Sequence, residues 1–119
     1  MTKEKNVLVY IDDIQEGIEK ILEYTQSISE DEFFASTQIQ DSVIRRLEII
    51  GEAAKNIPND FKKENPGIEW RKIAAMRNVL IHEYFGVDLG KVWEVARRDI
   101  FDLREKIEKI KKLTEKKIY

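Results

Sequence analysis

The chain has 119 residues, of which 42% are hydrophobic and 37% are charged, and 21 basic against 23 acidic side chains give a net charge of -2. This length fits one domain, and a protein that coats nucleic acid by charge alone would show a basic excess. Because the chain has no cysteine and one histidine, disulfides and multi-histidine zinc sites within one chain are excluded.

The first residues are polar and no long apolar run follows them. We therefore expect no signal peptide and no membrane span. A reducing, cytoplasmic setting is the default for such a chain, and we expect neither a metal nor another cofactor.

In the first segment, apolar residues recur every three or four positions, which is typical of one face of a helix. This series predicts a helix over about residues 4–26, and it comprises Val7, Ile11, Ile14, Ile18, Ile21 and Thr25. Ser29 is followed three residues later by Glu32, which is a capping-box pattern and predicts the start of a short helix.

A second long helix is predicted from Ser36 or Thr37 to Pro58, because proline disfavours helical geometry in the residue before it. Its apolar stripe is Val43, Leu47, Ile50, Ala54 and Ile57. Gly51 lies in the middle, where it costs about 1 kcal/mol relative to alanine. It either lets another helix approach closely or is neutral. Residues 58–68 then form a connector with a short turn around Phe61.

The third long helix is predicted from Glu69 or Trp70 to Tyr84 or Phe85, with Gly86 as its C-cap. Its apolar stripe is Ile73, Met76, Leu80 and Tyr84, and further apolar residues on other sides are Trp70, Val79 and Ile81. A helix that is apolar on more than one side is usually buried on more than one side. We therefore expect a homodimer that covers the second face.

Asp88 can cap the last long helix, and the lysine-rich end over residues 108–119 is expected to fray. The core stripe of this helix is Val92, Ala96, Ile100, Leu103, Ile107 and Ile110. Together these elements predict one all-α domain over residues 1–119, an up-and-down four-helix bundle with one or two short extra helices.

The third long helix also carries the residues with the clearest chemical potential, which are Arg77, His82 and Tyr84. Arginine binds phosphate oxygens with a rigid fork of donors, and histidine can give or take a proton near neutral pH. These residue types also fit an ordinary helix surface, with Arg77 paired to an acid and Tyr84 at the edge of the core.

Helix geometry helps to decide between a functional site and an ordinary helix surface. Arg77 and His82 project about 140° apart on an ideal helix, so one straight helix does not bring them to one small target. Asn78 and His82 are four residues apart and are neighbours on the helix surface. A two-fold axis near this helix would bring both residues close to their copies, and a composite site in a homodimer therefore fits the spacing better than a site within one chain.

The spacing Arg77-x4-His82, with Asn78 after the arginine, resembles the signature of the HEPN superfamily. The segments 44–54, 70–78, 82–88 and 92–93 are similar to motifs of its HepT-like branch, and the resemblance runs from about Val9 to Leu113. It implies a HEPN-like, homodimeric toxin of a toxin–antitoxin system that acts as a metal-independent endoribonuclease by 2′-hydroxyl attack.

In that reading Arg77 and His82 are catalytic and Asn78 orients the His82 ring. The resemblance also implies a partner, an MntA-like minimal nucleotidyltransferase antitoxin, which transfers AMP to Tyr84 and so blocks the nuclease. The partners implied are thus RNA, the antitoxin and a second copy of the chain, and a larger hetero-oligomer with the antitoxin is an open alternative to the plain homodimer.

Two alternatives remain open at the level of sequence, a non-catalytic HEPN module that binds a nucleotide or a nucleotidyltransferase, and a plain scaffold. Several further arginines are candidates for contacts that extend the RNA-binding surface, and they are Arg45, Arg46, Arg97, Arg98 and Arg104. Adjacent arginines on a helix more often form ion pairs on the protein surface. Trp70 and Trp93 are candidates for base stacking, with helix packing the commoner role. Glu52 is a candidate partner for an arginine near the site.

Overall fold

The computed structural model describes the backbone of residues 3–82 and 88–118 and the side chains of residues 6–75, 77 and 88–117. The long helices are α1 (Lys3–Thr25), α3 (Thr37–Asn56), α5 (Trp70–His82) and α7 (Ile100–Ile118). The shorter elements are α2 (Glu30–Ala35), α4 (Asn59–Glu64), α6 (Leu89–Glu94) and a π-helical segment, Val95–Asp99. No strand occurs in the described residues, and the all-α prediction is confirmed. None of the helices described is long and apolar enough to cross a membrane.

The predicted helix starts are confirmed by their capping hydrogen bonds. Ser29 Oγ accepts from the Glu32 N–H at 3.1 Å, and Glu32 Oε1 accepts from the Ser29 N–H at 3.3 Å, which completes the capping box before α2. Ser36 Oγ caps α3 by accepting from the Ile39 N–H at 3.2 Å. Asp88 Oδ1 caps α6 by accepting from the Lys91 N–H at 3.1 Å.

The long helices pack in the order α5, α3, α1, α7, because α1 contacts both α3 and α7 and α3 also contacts α5. Two ion pairs join α1 to α7, Asp12 to Lys111 at 2.9 Å and Glu19 to Arg104 at 2.9 Å. The residue number of the α7 partner falls as the residue number in α1 rises, so the two helices are antiparallel. The closed four-helix bundle and the homodimer remain predictions.

The core is built from the apolar stripes that the sequence predicts. All six positions of the first stripe have no exposed surface, and Thr25 satisfies its hydroxyl by donating to the Ile21 carbonyl at 2.8 Å. The stripes of α3 and of the last long helix are also buried. The helix period therefore identifies which face of α1, α3 and α7 points inward.

Helix packing, the commoner role expected for Trp70, is confirmed. Trp70 is buried within the chain, where its ring lies 6.3 Å from the ring of Phe61 in α4 and its Nε1–H donates to the Asn65 carbonyl at 3.1 Å. The short helix α4 covers this side, so Trp70 needs no second copy. The side chains of Val79 and Ile81, and residue Gly86, lie outside the described residues.

The last helix contains one feature that the sequence did not predict. A π-helical segment joins α6 to α7, and there the Ile100 N–H donates to the Val95 carbonyl, five residues back. Beyond it α7 is helical to Ile118, with Ile110 and Thr114 buried against the rest of the chain, and fraying over residues 108–119 stays a prediction.

Candidate functional site

The candidate site is organised by a close approach of α5 to α3 at Gly51. A Cβ atom added to Gly51 would lie 2.7 Å from the Arg77 Cβ and 3.3 Å from the Ile73 carbonyl oxygen. Real Cβ atoms do not approach other atoms so closely, and only glycine fits between these helices without a shift. Of the two interpretations of Gly51, close helix approach is therefore confirmed, and it places the backbone of Arg77 directly against α3.

Glu52, the residue after Gly51 in α3, holds the Arg77 side chain. Arg77 Nε lies 3.0 Å from Glu52 Oε2, in an ion pair whose side chains are 33% and 48% exposed. Exposed pairs contribute only about 0.2–1 kcal/mol to stability, so the pair matters mainly for orientation. Its closest contact uses Nε, one of five N–H donors of the guanidinium, and the two terminal nitrogens carry the other four. Two donors in a planar fork are the arrangement that binds phosphate oxygens.

Arg77 and Glu52 both line a cleft of about 280 Å³ between α1, α3 and α5. The other lining residues are Tyr10, Asp13, Arg45, Glu48, Ile49, Ala53 and Asn56. Sequence analysis did not single out Tyr10, Asp13 or Asn56. Tyr10 lies four residues before Ile14 and so at the edge of the buried stripe of α1. This position is the sequence signal that could have placed it beside a groove.

The proposed catalytic residues are described to different extents. The Arg77 side chain is at the cleft, as described above. Asn78 and His82 are helical residues of α5, and His82 is its last residue, but their side chains lie outside the described residues. Tyr84 lies wholly outside them. The convergence of Arg77 with His82 therefore stays a prediction.

The two arginines proposed for RNA contact on α3 differ in their surroundings. Arg45 lines the cleft and pairs with Glu48 at 3.3 Å, with 70% of its side chain exposed. Arg46 is partly buried and is not among the residues that line the cleft. Arg45 is therefore the better placed of the two for an extended RNA contact.

The other arginine candidates are engaged in structural contacts. Arg97 donates to the Thr25 carbonyl at 3.0 Å and lies 5.3 Å from the centre of the Trp93 ring. Trp93 in turn packs on Phe33, with 5.1 Å between ring centres. Arg98 and Arg104 form ion pairs with neighbouring glutamates. These contacts fit the packing and ion-pair interpretations rather than a longer RNA path.

No group of three histidine, cysteine, aspartate or glutamate side chains is placed to hold a metal ion in the part of the chain that the structure describes. The described site consists of an arginine held beside a cleft, five residues before the histidine of the same helix. The fold and this site define an all-α domain with an ion-paired arginine at the edge of a cleft.

Comparison with known families and proteins identifies the domain more closely. The family model "Ribonuclease HepT-like" matches residues 14–110, and the chain belongs to the HepT-like ribonuclease family. The predicted membership of this family is confirmed.

Curated relatives extend the match. A protein of Methanocaldococcus jannaschii named "Gamma-glutamylcyclotransferase and putative RNase MJ0434" is 53% identical over 106 residues, which cover 89% of this chain and 48% of the relative. The chain thus spans about half of that protein. A "Probable ribonuclease HepT" of Thermococcus cleftensis is 52% identical over 103 residues, which cover 87% of this chain and 94% of the relative. No solved structure matches the chain.

Proposed function

We propose that the chain is a metal-independent endoribonuclease in which Arg77 and His82 act on the scissile phosphate. The observation that carries this proposal is the fixed position of Arg77, which Glu52 holds at the edge of a cleft in a domain of the HepT-like ribonuclease family. His82 follows at the end of the same helix and is the only histidine of the chain.

The proposed reaction is attack of an RNA 2′-hydroxyl on the adjacent phosphorus. The bond from the 2′-oxygen to phosphorus forms, the bond from phosphorus to the 5′-oxygen breaks, and the products carry a 2′,3′-cyclic phosphate and a 5′-hydroxyl. One proton leaves the 2′-hydroxyl and one is delivered to the 5′-oxygen, and His82 is the candidate for these transfers, which typically contribute 10²–10⁴-fold. Arg77 stabilises the charge that develops on the phosphate oxygens, and Asn78 orients the His82 ring.

A homodimer is part of the proposal. Arg77 and His82 point about 140° apart on one ideal helix, and two copies of α5 across a two-fold axis would place both pairs of residues around one phosphate. Such a dimer would supply two histidines, one as base and one as acid. The two helices would then flank a cleft shared between the copies.

We further propose that the nuclease is the toxin of a toxin–antitoxin system. A minimal nucleotidyltransferase would neutralise it by transferring AMP to Tyr84, two residues after His82. A bulky, negatively charged group beside the scissile phosphate repels and occludes RNA. The modification would therefore block the site without unfolding the domain.

The nuclease proposal is tested by incubating RNA in EDTA with the wild type, Arg77→Ala, His82→Ala and Arg71→Ala. Arg71 is an exposed arginine on the same helix and controls for the loss of one positive charge. We expect the wild type and Arg71→Ala to cleave and to leave 2′,3′-cyclic phosphate ends, and the other two variants to lose the activity. Equal cleavage by all four proteins, or cleavage that requires a metal, would refute the proposed mechanism.

The regulatory proposal has a separate readout. The chain is mixed with a nucleotidyltransferase of this class and ATP, and AMP addition is followed by mass spectrometry in the wild type, Tyr84→Phe and Tyr24→Phe. We expect addition to the wild type and to Tyr24→Phe, with a parallel loss of cleavage. Addition to Tyr84→Phe at the wild-type level would show that another residue is modified.

A further inference from the structure

The cleft beside Arg77 has a wall that the cleavage mechanism does not use. Its floor is apolar, formed by Ile49 and Ala53 of α3, and its α1 side carries the partly buried Tyr10 and the exposed Asp13. Arg77 stands at the α5 side. A group that reaches from Arg77 across the floor therefore meets an aromatic side chain and a carboxylate.

The charges in the cleft favour a neutral group on that wall. Arg45 is paired with Glu48 and Arg77 with Glu52, whereas Asp13 has no ion pair or hydrogen bond to its side chain within the described residues. Among the described residues, Asp13 thus gives the α1 wall a negative charge that has no ion-pair partner. A second phosphate would be repelled there, but a neutral group with N–H donors would be attracted, since an ionised carboxylate only accepts hydrogen bonds.

We propose that this cleft binds a nucleobase next to the scissile phosphate and that Asp13 selects bases with an exocyclic amino group over uracil. The proposal rests on the proposed nuclease function and names the substrate preference of the same site. Sequence-specific recognition of RNA usually reads single-stranded bases by stacking them on aromatic rings and bonding their edges. In the cleft, Tyr10 supplies the ring and Asp13 supplies the acceptor.

The chemistry of the four bases explains the direction of the preference. Cytosine, adenine and guanine each present an amino group, and acidic side chains are known acceptors for the cytosine N4 amino group. Uracil instead presents one N–H between two carbonyl oxygens, and those oxygens repel a carboxylate. A discrimination of about tenfold is typical of one such base contact.

The preference is tested on a pool of RNA with random sequence, cleaved in EDTA, in which the new 5′-hydroxyl ends are sequenced to give base frequencies around the cut. The proteins are the wild type, Asp13→Asn and Asp12→Asn. Asp12 is the matched control, because it is the adjacent exposed aspartate of α1 but pairs with Lys111 of α7 instead of lining the cleft. We expect the wild type and Asp12→Asn to disfavour uracil about tenfold at one position beside the cut. In Asp13→Asn this bias against uracil should fall at least threefold.

A second measurement separates this proposal from the nuclease proposal. Fluorescence anisotropy compares binding of uncleavable 2′-deoxy oligomers of cytosine and of uracil to the same three proteins. If the wild type does not cleave RNA but binds cytosine more tightly in an Asp13-dependent way, the nuclease proposal fails and the base site stands. If RNA is cleaved with no uracil bias, or with a bias that Asp13→Asn leaves unchanged, the base site is refuted and the nuclease proposal is unaffected.

Discussion

Replacing Gly51 with alanine tests whether the contact between α3 and α5 positions the site. The added methyl would lie 2.7 Å from the Arg77 Cβ, and its other neighbours are backbone atoms, the Ile73 carbonyl oxygen at 3.3 Å and the Arg77 nitrogen at 3.4 Å. None of these atoms is the free end of a flexible side chain. The methyl can therefore be accommodated only if α5 moves away from α3 by roughly 1 Å, the distance needed to restore ordinary van der Waals contact.

Two opposing terms set the effect of this change on stability. Alanine gains about 1 kcal/mol over glycine inside a helix, whereas overpacking a close contact costs about 1–3 kcal/mol. We expect a net loss of roughly 1 kcal/mol in the free energy of unfolding. Activity should suffer more, because a shift of about 1 Å in a positioning element can cost about 100-fold in rate.

The measurements are urea unfolding followed by circular dichroism and the initial rate of RNA cleavage in EDTA. Gly67→Ala is the control, because a Cβ at Gly67 has no neighbour within 4 Å and should change neither quantity. If Gly51→Ala were as stable and as active as the wild type, the close approach would not exist in solution. A loss of stability without any loss of cleavage would show that the position of Arg77 does not matter for the reaction.

Three further predictions concern single contacts. Glu52→Gln removes the charge that holds Arg77. We expect the free energy of unfolding to change by less than about 1 kcal/mol and the cleavage rate at saturating RNA to fall. An unchanged rate would mean that Glu52 does not orient Arg77. Asp88→Ala removes the cap of α6 and should lower the free energy of unfolding by about 1 kcal/mol. The control is Asp102→Ala, which removes an exposed aspartate that pairs with Lys106 of the same helix. Trp70→Phe leaves the ring contact with α4 but removes the hydrogen bond to the Asn65 carbonyl. We expect the free energy of unfolding to fall by about 1 kcal/mol. An unchanged free energy of unfolding would show that water replaces the bond.

The fold was predictable where one period dominates the sequence. The stripe that begins at Val7 and the stripe that begins at Val43 are each buried along their whole length, because burial of a long helix depends on a repeat of three and four residues that can be read locally. The caps at Ser29, Ser36 and Asp88 were predictable for the same reason, since a cap bonds a residue three positions away.

Contacts between distant segments were harder to predict. Glu52 and Arg77 are 25 positions apart by their residue numbers, and sequence alone left the partner of Glu52 open. The residues that pack against Trp70 were also left open, because the contact with α4 depends on how the chain runs through residues 58–68. The π-helical segment was missed because Val92, Ala96 and Ile100 are spaced by four, as in an ordinary α-helix.

That π-helical segment sets how the protein tolerates insertions and deletions. The bond from the Ile100 N–H to the Val95 carbonyl encloses one residue more than an α-helical turn. Removing one residue there would restore regular α-helix and leave Ile107 and Ile110 facing α1, because the wide turn takes up that one residue. Adding one residue beyond it would instead rotate α7 by about 100° relative to α6 and separate Lys111 from Asp12. We therefore expect relatives to differ here by loss of one residue, with a regular α-helix in place of the wide turn, more often than by gain of one.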